Sequence, residues 1–325
     1  MKNTHQNLSI AVFLSAACGA SAMAQDYPTR AVRMVVPFAP GGASDFVARV
    51  IQPRMSELLK QQVVVDNRAG AAGNIGVEVA AKANADGHTF LLGNIGTMAI
   101  NANIFTKFPV KPLSDLAPVT QVVDVAGSLV THPTLPPRNV KELIAYLKAN
   151  PNKLNYGSPA PSSANNLEMI MFLMQTGTQA TAVNYKGGAG PAMIGLLGNE
   201  VQLMFVTFSS AVTHVKSGRA RMLAAISPER IPALPDVPTM REQGLNMTVG
   251  SWQGIYVPKG APAPVVRKLF DVAQETMKHT DVTKRMVESG VSIVTSKTTM
   301  DFAAFWKEEH ERFARVVRDA KIPTE

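Results

Sequence analysis

Pro37-Phe38-Ala39-Pro40-Gly41-Gly42-Ala43-Ser44-Asp45 combines residue types that suit the capture of an anion. An apolar run ends there, two glycines let the backbone approach a ligand closely, and a helix can start at Ser44 or Asp45. The first N–H groups of a helix have no internal partner, and with the helix dipole they attract negative charge. Asp45 works against this, because its own charge repels a carboxylate. It is therefore expected to cap backbone donors or hold a bridging water. Read locally, the segment is equally a plain strand-to-helix turn. A second glycine-rich turn, Asn67-Arg68-Ala69-Gly70-Ala71-Ala72-Gly73-Asn74-Ile75-Gly76, also follows an apolar run. It lacks both the G-x-G-x-x-G spacing of a dinucleotide site and the Gly-Lys-Ser/Thr of a P-loop, so by itself it reads as a tight turn. The polar loop from Ser158 through Ser162 and Ser163, and the Lys186–Gly190 loop, sit at comparable strand ends later in the chain.

Signals for catalysis are poor. The six histidines (His5, His88, His132, His214, His279, His310) show no H-E-x-x-H and no close spacing, so no metal site is expected. There is no G-x-S-x-G nucleophile elbow. Asp124, Glu168, Glu200 and Asp236 stand alone and read as capping or surface acids rather than an acid/base pair. The single cysteine, Cys18, lies in the N-terminal leader described below. No catalytic residue and no cofactor is expected.

The elements that must position these loops alternate. Residues 31–38 form an apolar run suited to a buried strand, and Phe46, Val47, Val50 and Ile51 then share one helical face. Pro53 removes a backbone donor, which predicts a kink. Strands follow at Gln62–Asp66 and Thr89–Leu92, with a helix near Gly76–Ala83 between them. Leu116–Thr131 is long and extended, and is read as a first crossing into another lobe. Asn139 with Glu142 predicts a reciprocal helix cap, and Val140, Leu143, Ile144 and Leu147 give the stripe of an amphipathic helix. The strand–loop–helix rhythm then recurs through Ile226. Ser251–Val257 reads as the strand that crosses back, and Phe302, Trp306, Phe313, Val316 and Val317 line one face of a last helix over Thr299–Ala320. This order predicts an α/β chain of mixed sheets covered by helices on both faces. Two such lobes with two crossings make the hinged clamshell (type II-like) of periplasmic binding proteins. The expected division is residues 25–124 with 249–325 in one lobe and 125–248 in the other. Ligands of open α/β sheets bind beyond the carboxyl ends of the strands, so those ends should face one cleft.

Composition agrees with an exported globular chain. Lys2 and His5, an apolar stretch from Leu8 to Ala17, and Ala22-Met23-Ala24 have the order read by a signal peptidase. Cleavage near Ala24 would leave a periplasmic protein of roughly 300 residues, more than one core usually organises. It would also leave no cysteine, which excludes thiol chemistry and disulfides. Ser15-Ala16-Ala17-Cys18 loosely resembles a lipobox, but has serine where a large aliphatic residue is usual. The formal net charge is +8 with basic residues scattered. No basic patch or motif for nucleic acid is present.

The Pro37–Asp45 segment, Val63-Val64-Val65-Asp66-Asn67-Arg68-Ala69-Gly70-Ala71-Ala72-Gly73 and Asp86-Gly87-His88-Thr89 together resemble the Bug family. These are the extracytoplasmic receptors of tripartite tricarboxylate transporters. The resemblance continues through Asn184-Tyr185-Lys186-Gly187, Leu234-Pro235-Asp236-Val237-Pro238-Thr239 and Glu242-Gln243-Gly244-Leu245. It implies a monomeric two-lobe receptor for a small carboxylate, working with membrane transporter subunits. The same ligand chemistry would serve a sensor that signals to a membrane kinase, and an enzyme on this scaffold is the remaining alternative. Carried over residue by residue, the resemblance implies ligand contacts at Phe38, Ala39, Pro40, Gly41, Gly42, Ala43, Ser44 and Asp45, and at Ser158, Ser162 and Ser163. Tyr185, Lys186, Gly187 and the loop near Thr97 would line the cleft, with Gly73 and Asn74 from the second turn. Pro159-Ala160-Pro161 is poorer in glycine than relatives usually are at that loop. Val206, followed by Thr207, stands where many relatives have an aspartate, which predicts an apolar or purely anionic ligand.

Overall fold

Val32, Met34, Val35 and Val36 are fully buried because helices cover both faces of the strand they form. The computed structural model describes residues 27–105, 107–159, 163–227, 229–247, 250–319 and 324. The leader with Cys18, and Ser162 in the polar loop, lie outside the described residues. A first sheet takes β1 (Val32–Val36), β2 (Val63–Asn67), β3 (Thr89–Asn94) and β4 (Leu116–Val125). A second takes β5 (Gly127–Thr131), β6 (Asn155–Ser158), β7 (Thr181–Asn184), β8 (Leu203–Thr207) and β9 (Arg221–Ile226). The chain then returns to the first with β10 (Ser251–Pro258) and β11 (Val291–Ile293). The strand orders are β11-β4-β10-β3-β1-β2 and β7-β6-β8-β5-β9. Both sheets are mixed: β1 runs parallel to β2 and β3, while β10 runs antiparallel to β3 and β4. Only Ala126 separates β4 from β5, so the first crossing is almost continuous extended chain.

The helices are α1 (Ala43–Leu59), α2 (Asn74–Ala81), α3 (Asn101–Ile104), α4 (Pro112–Asp115), α5 (Val140–Ala149) and α6 (Ala164–Thr176). They continue with α7 (Ala189–Leu197), α8 (Phe208–Lys216), α9 (Ala263–Lys278), α10 (Thr280–Glu288) and α11 (Thr299–Asp319). On the first sheet, α1, α9 and α10 close one face over Met34, Phe90 and Ile255. On the other face α11 brings Phe302, Trp306 and Phe313 against Tyr256 and Trp252. Ala164 and Leu167 of α6 join this second cluster. A helix attached to the second sheet thus packs against the first lobe.

The helix α1 continues through Pro53, with Val47, Ile51 and Met55 buried on either side of it. One local expectation needs adjusting. Asn139 caps α5 through Glu142 N–H at 2.8 Å, but the Glu142 carboxylate accepts from Arg138 N–H and the Asn139 side-chain amide, both at 2.7 Å. The reciprocal bond therefore closes one residue earlier than in the simple capping box. A π-helical turn at Gly96–Ile100, running into α3, has no counterpart in the sequence reading.

Candidate ligand-binding cleft

The carboxyl end of β1 runs into the turn Pro37–Gly42, which is anchored from below. Arg68 N–H donates to Val36 O (2.8 Å) and the Asn67 side-chain amide to Phe38 O (2.9 Å). Gly42 is the N-cap of α1 and supplies no side-chain cap. Asp45 settles its own conflict with an anion: its carboxylate accepts from Gly41 N–H (3.2 Å) and pairs with Arg49 (3.0 Å). The N–H groups of Gly42, Ala43, Ser44 and Asp45 are left with no hydrogen bond among the described residues, and all four residues are buried. Four aligned buried donors at a helix start are a site for negative charge.

The opposite lobe presents a matching end. The turn Tyr185–Gly188 leads into α7, whose N-cap Gly188 likewise offers no side-chain cap. The two turns touch. Ala39 N–H donates to Gly187 O at 3.0 Å, so this donor is spent on closing the lobes rather than on a ligand. The Phe38 ring is held between the turns: a β-carbon at Gly73 or at Gly188 would come within 3.1 Å of it. Gly73 has φ +95°, a left-handed conformation that favours glycine. Pro40 and Gly41 meet Gly190, where a β-carbon would overlap the Pro40 carbonyl oxygen.

Beside these turns lies an interlobe cavity of about 40 Å³, lined by Phe38, Ala72, Asn94, Ile95, Gly96, Asn101, Ser163, Ala164 and Ser251. That volume holds about three water-sized groups, or one carboxylate. Ser163 caps α6 by accepting from Asn166 N–H (3.1 Å), which aims the first turn of a third helix at the cavity. Phe38 and Ser163 are thus brought together from opposite lobes. Thr97 is fully buried, and its hydroxyl is engaged with Asn94 rather than turned to the cavity. Asn74 is buried beside it and accepts from the Asn101 amide at 2.7 Å. Ser158 is buried with its hydroxyl unpartnered. Tyr185 turns its hydroxyl to Glu200 (3.0 Å), and burial together with that carboxylate pushes it up to about 12. Lys186 is exposed at the rim. The Val206 side chain enters the core of the second lobe, and its carbonyl accepts from Ser128 Oγ (2.9 Å). Thr207 pairs with Ser210 at 2.9 Å. Of the residues lining the cavity, sequence reasoning singled out Phe38 and Ser163 and missed Ala72, Asn94, Ile95, Gly96, Asn101, Ala164 and Ser251. The asparagines at 94 and 101, flanking a mostly apolar run, were the available hint, but nothing local says that the turn between them is π-helical.

The residues matched by the model of the "Tripartite tricarboxylate transporter family receptor" are 47–322. The chain belongs to that family. It is 36% identical over 315 residues to Protein BugT of Bordetella pertussis, covering 95% of each. MatC of Rhodopseudomonas palustris, solved with bound malate, superposes with a TM-score of 0.84 at 31% identity, covering 90% of this chain and 100% of that one. R. palustris Rpa4515, solved with adipate, gives a TM-score of 0.88 at 32% identity, with 92% and 100% covered. The tripartite receptor is a two-lobe solute-binding protein, not an enzyme. Among the described residues no helix is long and apolar enough to cross a membrane.

Glu168 of α6 sits behind this receptor's cleft, 1% exposed, at the first crossing. A β-carbon at Gly127 would lie 2.5 Å from its Oε1, and Oε2 accepts from the Asn165 amide at 2.9 Å. Burial pushes the carboxyl up to about 8, against the pull of that hydrogen bond. Between its ordinary 4.5 and about 8 the folded chain holds a proton that the unfolded chain has lost. Folding stability is therefore expected to fall as pH rises through that window. Thermal unfolding from pH 5 to 8.5 should show a steeper decline for wild type than for Glu168→Gln; parallel profiles would remove Glu168 as the cause.

Proposed function

We propose that this receptor is exported to the periplasm after cleavage near Ala24 and closes as a monomer around one small carboxylate, which it delivers to tripartite-type membrane transporter subunits. The observation that carries the reading is electrostatic. Two uncapped helix starts, at Gly42 and Gly188, meet across the cleft with their positive ends together. Like partial charges brought together cost energy, and an anion between them turns the cost into attraction. Malate and adipate in related structures support carboxylate as the class.

The magnitudes suffice without an arginine clamp. A micromolar complex needs ~8 kcal/mol, and a hydrogen bond to a charged group contributes ~1.5–3 kcal/mol net. The four donors Gly42–Asp45 reach that range less the entropy of ordering the loops. Lys186 at the rim would raise the local concentration of anions before closure. Binding inside the closed cleft should resist salt, while the association rate should fall with it. Native mass spectrometry of freshly purified protein should reveal a co-purified acid. A thermal-shift panel should then pick out carboxylates, each worth ~2.7 kcal/mol at 100-fold excess over Kd. A panel of mono-, di- and tricarboxylates that leaves the melting temperature unmoved, while a neutral solute raises it, would refute the reading.

A further inference from the structure

Asn94 ends β3 with one half of its side-chain amide engaged and the other half free. Its Oδ1 accepts from Thr97 N–H (3.1 Å) and from the Thr97 hydroxyl (3.3 Å), while its backbone N–H donates to Thr97 Oγ1 (3.1 Å). Exchanging the two amide atoms would set the NH2 group against Thr97 N–H, so the orientation is fixed. The Nδ2 group then has no partner among the described residues, and it is not sealed from small groups in the cleft. Ser251 is the second such residue. It opens β10 and is 8% exposed, and its hydroxyl likewise has no partner and is not sealed. Both residues line the interlobe cavity.

Strand alternation shows which way the two face. Along β3, Phe90 and Leu92 pack under α1 whereas Leu91 takes the α11 side. Asn94 is next in the series of Phe90 and Leu92, so it stands on the α1 side at the carboxyl end of the strand. Along β10, Ile255 and Val257 take the α1 side whereas Trp252 and Tyr256 take the other. Ser251 belongs to the series of Ile255, and its ladder partner Val125 packs on the same side. Strand β10 runs antiparallel to β3, so its first residue lies at the carboxyl end of β3. The helix α1 starts on that side too, with Ala43 and Val47 in the same cluster, from β1, which is the parallel neighbour of β3. The free amide, the free hydroxyl and the four N–H groups of Gly42–Asp45 thus gather at one end and one side of the first sheet.

Resting on the carboxylate reading above, we propose that Asn94 and Ser251 are direct ligand-binding residues, a neutral clamp in which Asn94 Nδ2 and Ser251 Oγ donate to the bound carboxylate beside the N–H groups at the start of α1. No lysine, arginine or histidine lines the cavity. Neutral donors meet the anion without the desolvation cost of burying a cation, and a hydrogen bond to a charged acceptor is the strong kind. Thr97 already holds the Asn94 amide in place, so little rotamer freedom is lost on binding.

Calorimetry on the full chain with malate, adipate, benzoate and citrate tests this, using whichever acid wild type binds most tightly. Asn94→Asp keeps the oxygen that accepts from Thr97 and replaces only the free NH2 group, by a second carboxylate oxygen. Its ligand-free melting temperature should stay level while affinity falls at least about 100-fold, because a donor has become a like charge. Lowering the pH from about 8.5 to about 6 should restore part of that affinity relative to wild type, since a protonated carboxyl donates again. A loss caused by a distorted turn would not recover. Ser251→Ala should bind about tenfold more weakly. Should Asn94→Asp not fold, Asn94→Ser, which also keeps a capping oxygen, should lose about tenfold. Wild-type affinity in the Asn94 variant or in Ser251→Ala overturns the clamp and leaves the carboxylate reading standing, as does an Asn94→Asp loss that pH does not move. Wild type that binds none of the four acids rejects the carboxylate reading itself, and the clamp with it.

Discussion

Gly190→Ala should bind malate or adipate, whichever the wild type takes, ~10–100-fold more weakly without losing thermal stability. The added methyl would overlap Pro40 O, and the other atoms near it are the carbonyl carbons of Pro40 and Gly41. All of these lie on the opposite lobe, so the clash exists only when the lobes are closed. Within its own helix the residue occupies an ordinary helical position near the start of α7, where alanine is the better helix former by ~0.5–1 kcal/mol. Overpacking of a tight contact costs ~1–3 kcal/mol. That penalty on the closed state alone appears directly as lost affinity, since only the closed state surrounds the ligand. Small-angle scattering should report a larger radius of gyration for the ligand-saturated variant than for saturated wild type. Equal affinity and equal scattering would mean that the Pro40–Gly190 contact does not limit closure.

The second large effect is expected at the other end of the chain. Trp306 on α11 is 2% exposed, packs its ring against Tyr256 at 4.8 Å, and donates Nε1–H to Met98 O at 2.7 Å. Met98 lies in the π-helical turn Gly96–Ile100, so α11 braces the segment that carries Gly96 and Asn101 to the cavity. Trp306→Ala should lower unfolding stability by ~3–5 kcal/mol. Trp306→Phe keeps most of the packing and strands the Met98 carbonyl, at a cost of ~1–3 kcal/mol. Urea unfolding measures both. If the phenylalanine variant is as stable as wild type, the hydrogen bond contributes nothing and the brace is packing alone.

Much of the architecture was legible because its signals are local. The valines of 63–65, the Asn139–Glu142 pair and the aromatic stripe of α11 each report backbone hydrogen bonding or burial within a few residues. The glycine turns were legible as turns for the same reason. The two halves of the proposed site, at Phe38–Asp45 and at the start of α6, were suggested by a motif resemblance and by the rule that sheets bind ligands at their strand ends. What the chain alone did not reveal was how each group is spent. Thr97 reads as a cleft hydroxyl, but Asn94 three residues earlier consumes it. Ala39 reads as a ligand donor, but Gly187 of the other lobe takes its N–H.

The boundary between the two kinds of knowledge is one of range. Length, periodicity and capping determined that this is a two-lobe α/β chain whose helices follow glycine-rich turns, because those properties arise from neighbours along the backbone. From sequence the start of α1 falls at a Ser44 or Asp45 cap, whereas its N-cap is Gly42 without a side-chain cap. Tertiary structure alone decided that Gly190 meets Pro40 and that Asn101 reaches the cavity from the end of a π-turn. Those placements join residues far apart in sequence, and they depend on strand register and on how two lobes dock. No local propensity encodes either quantity.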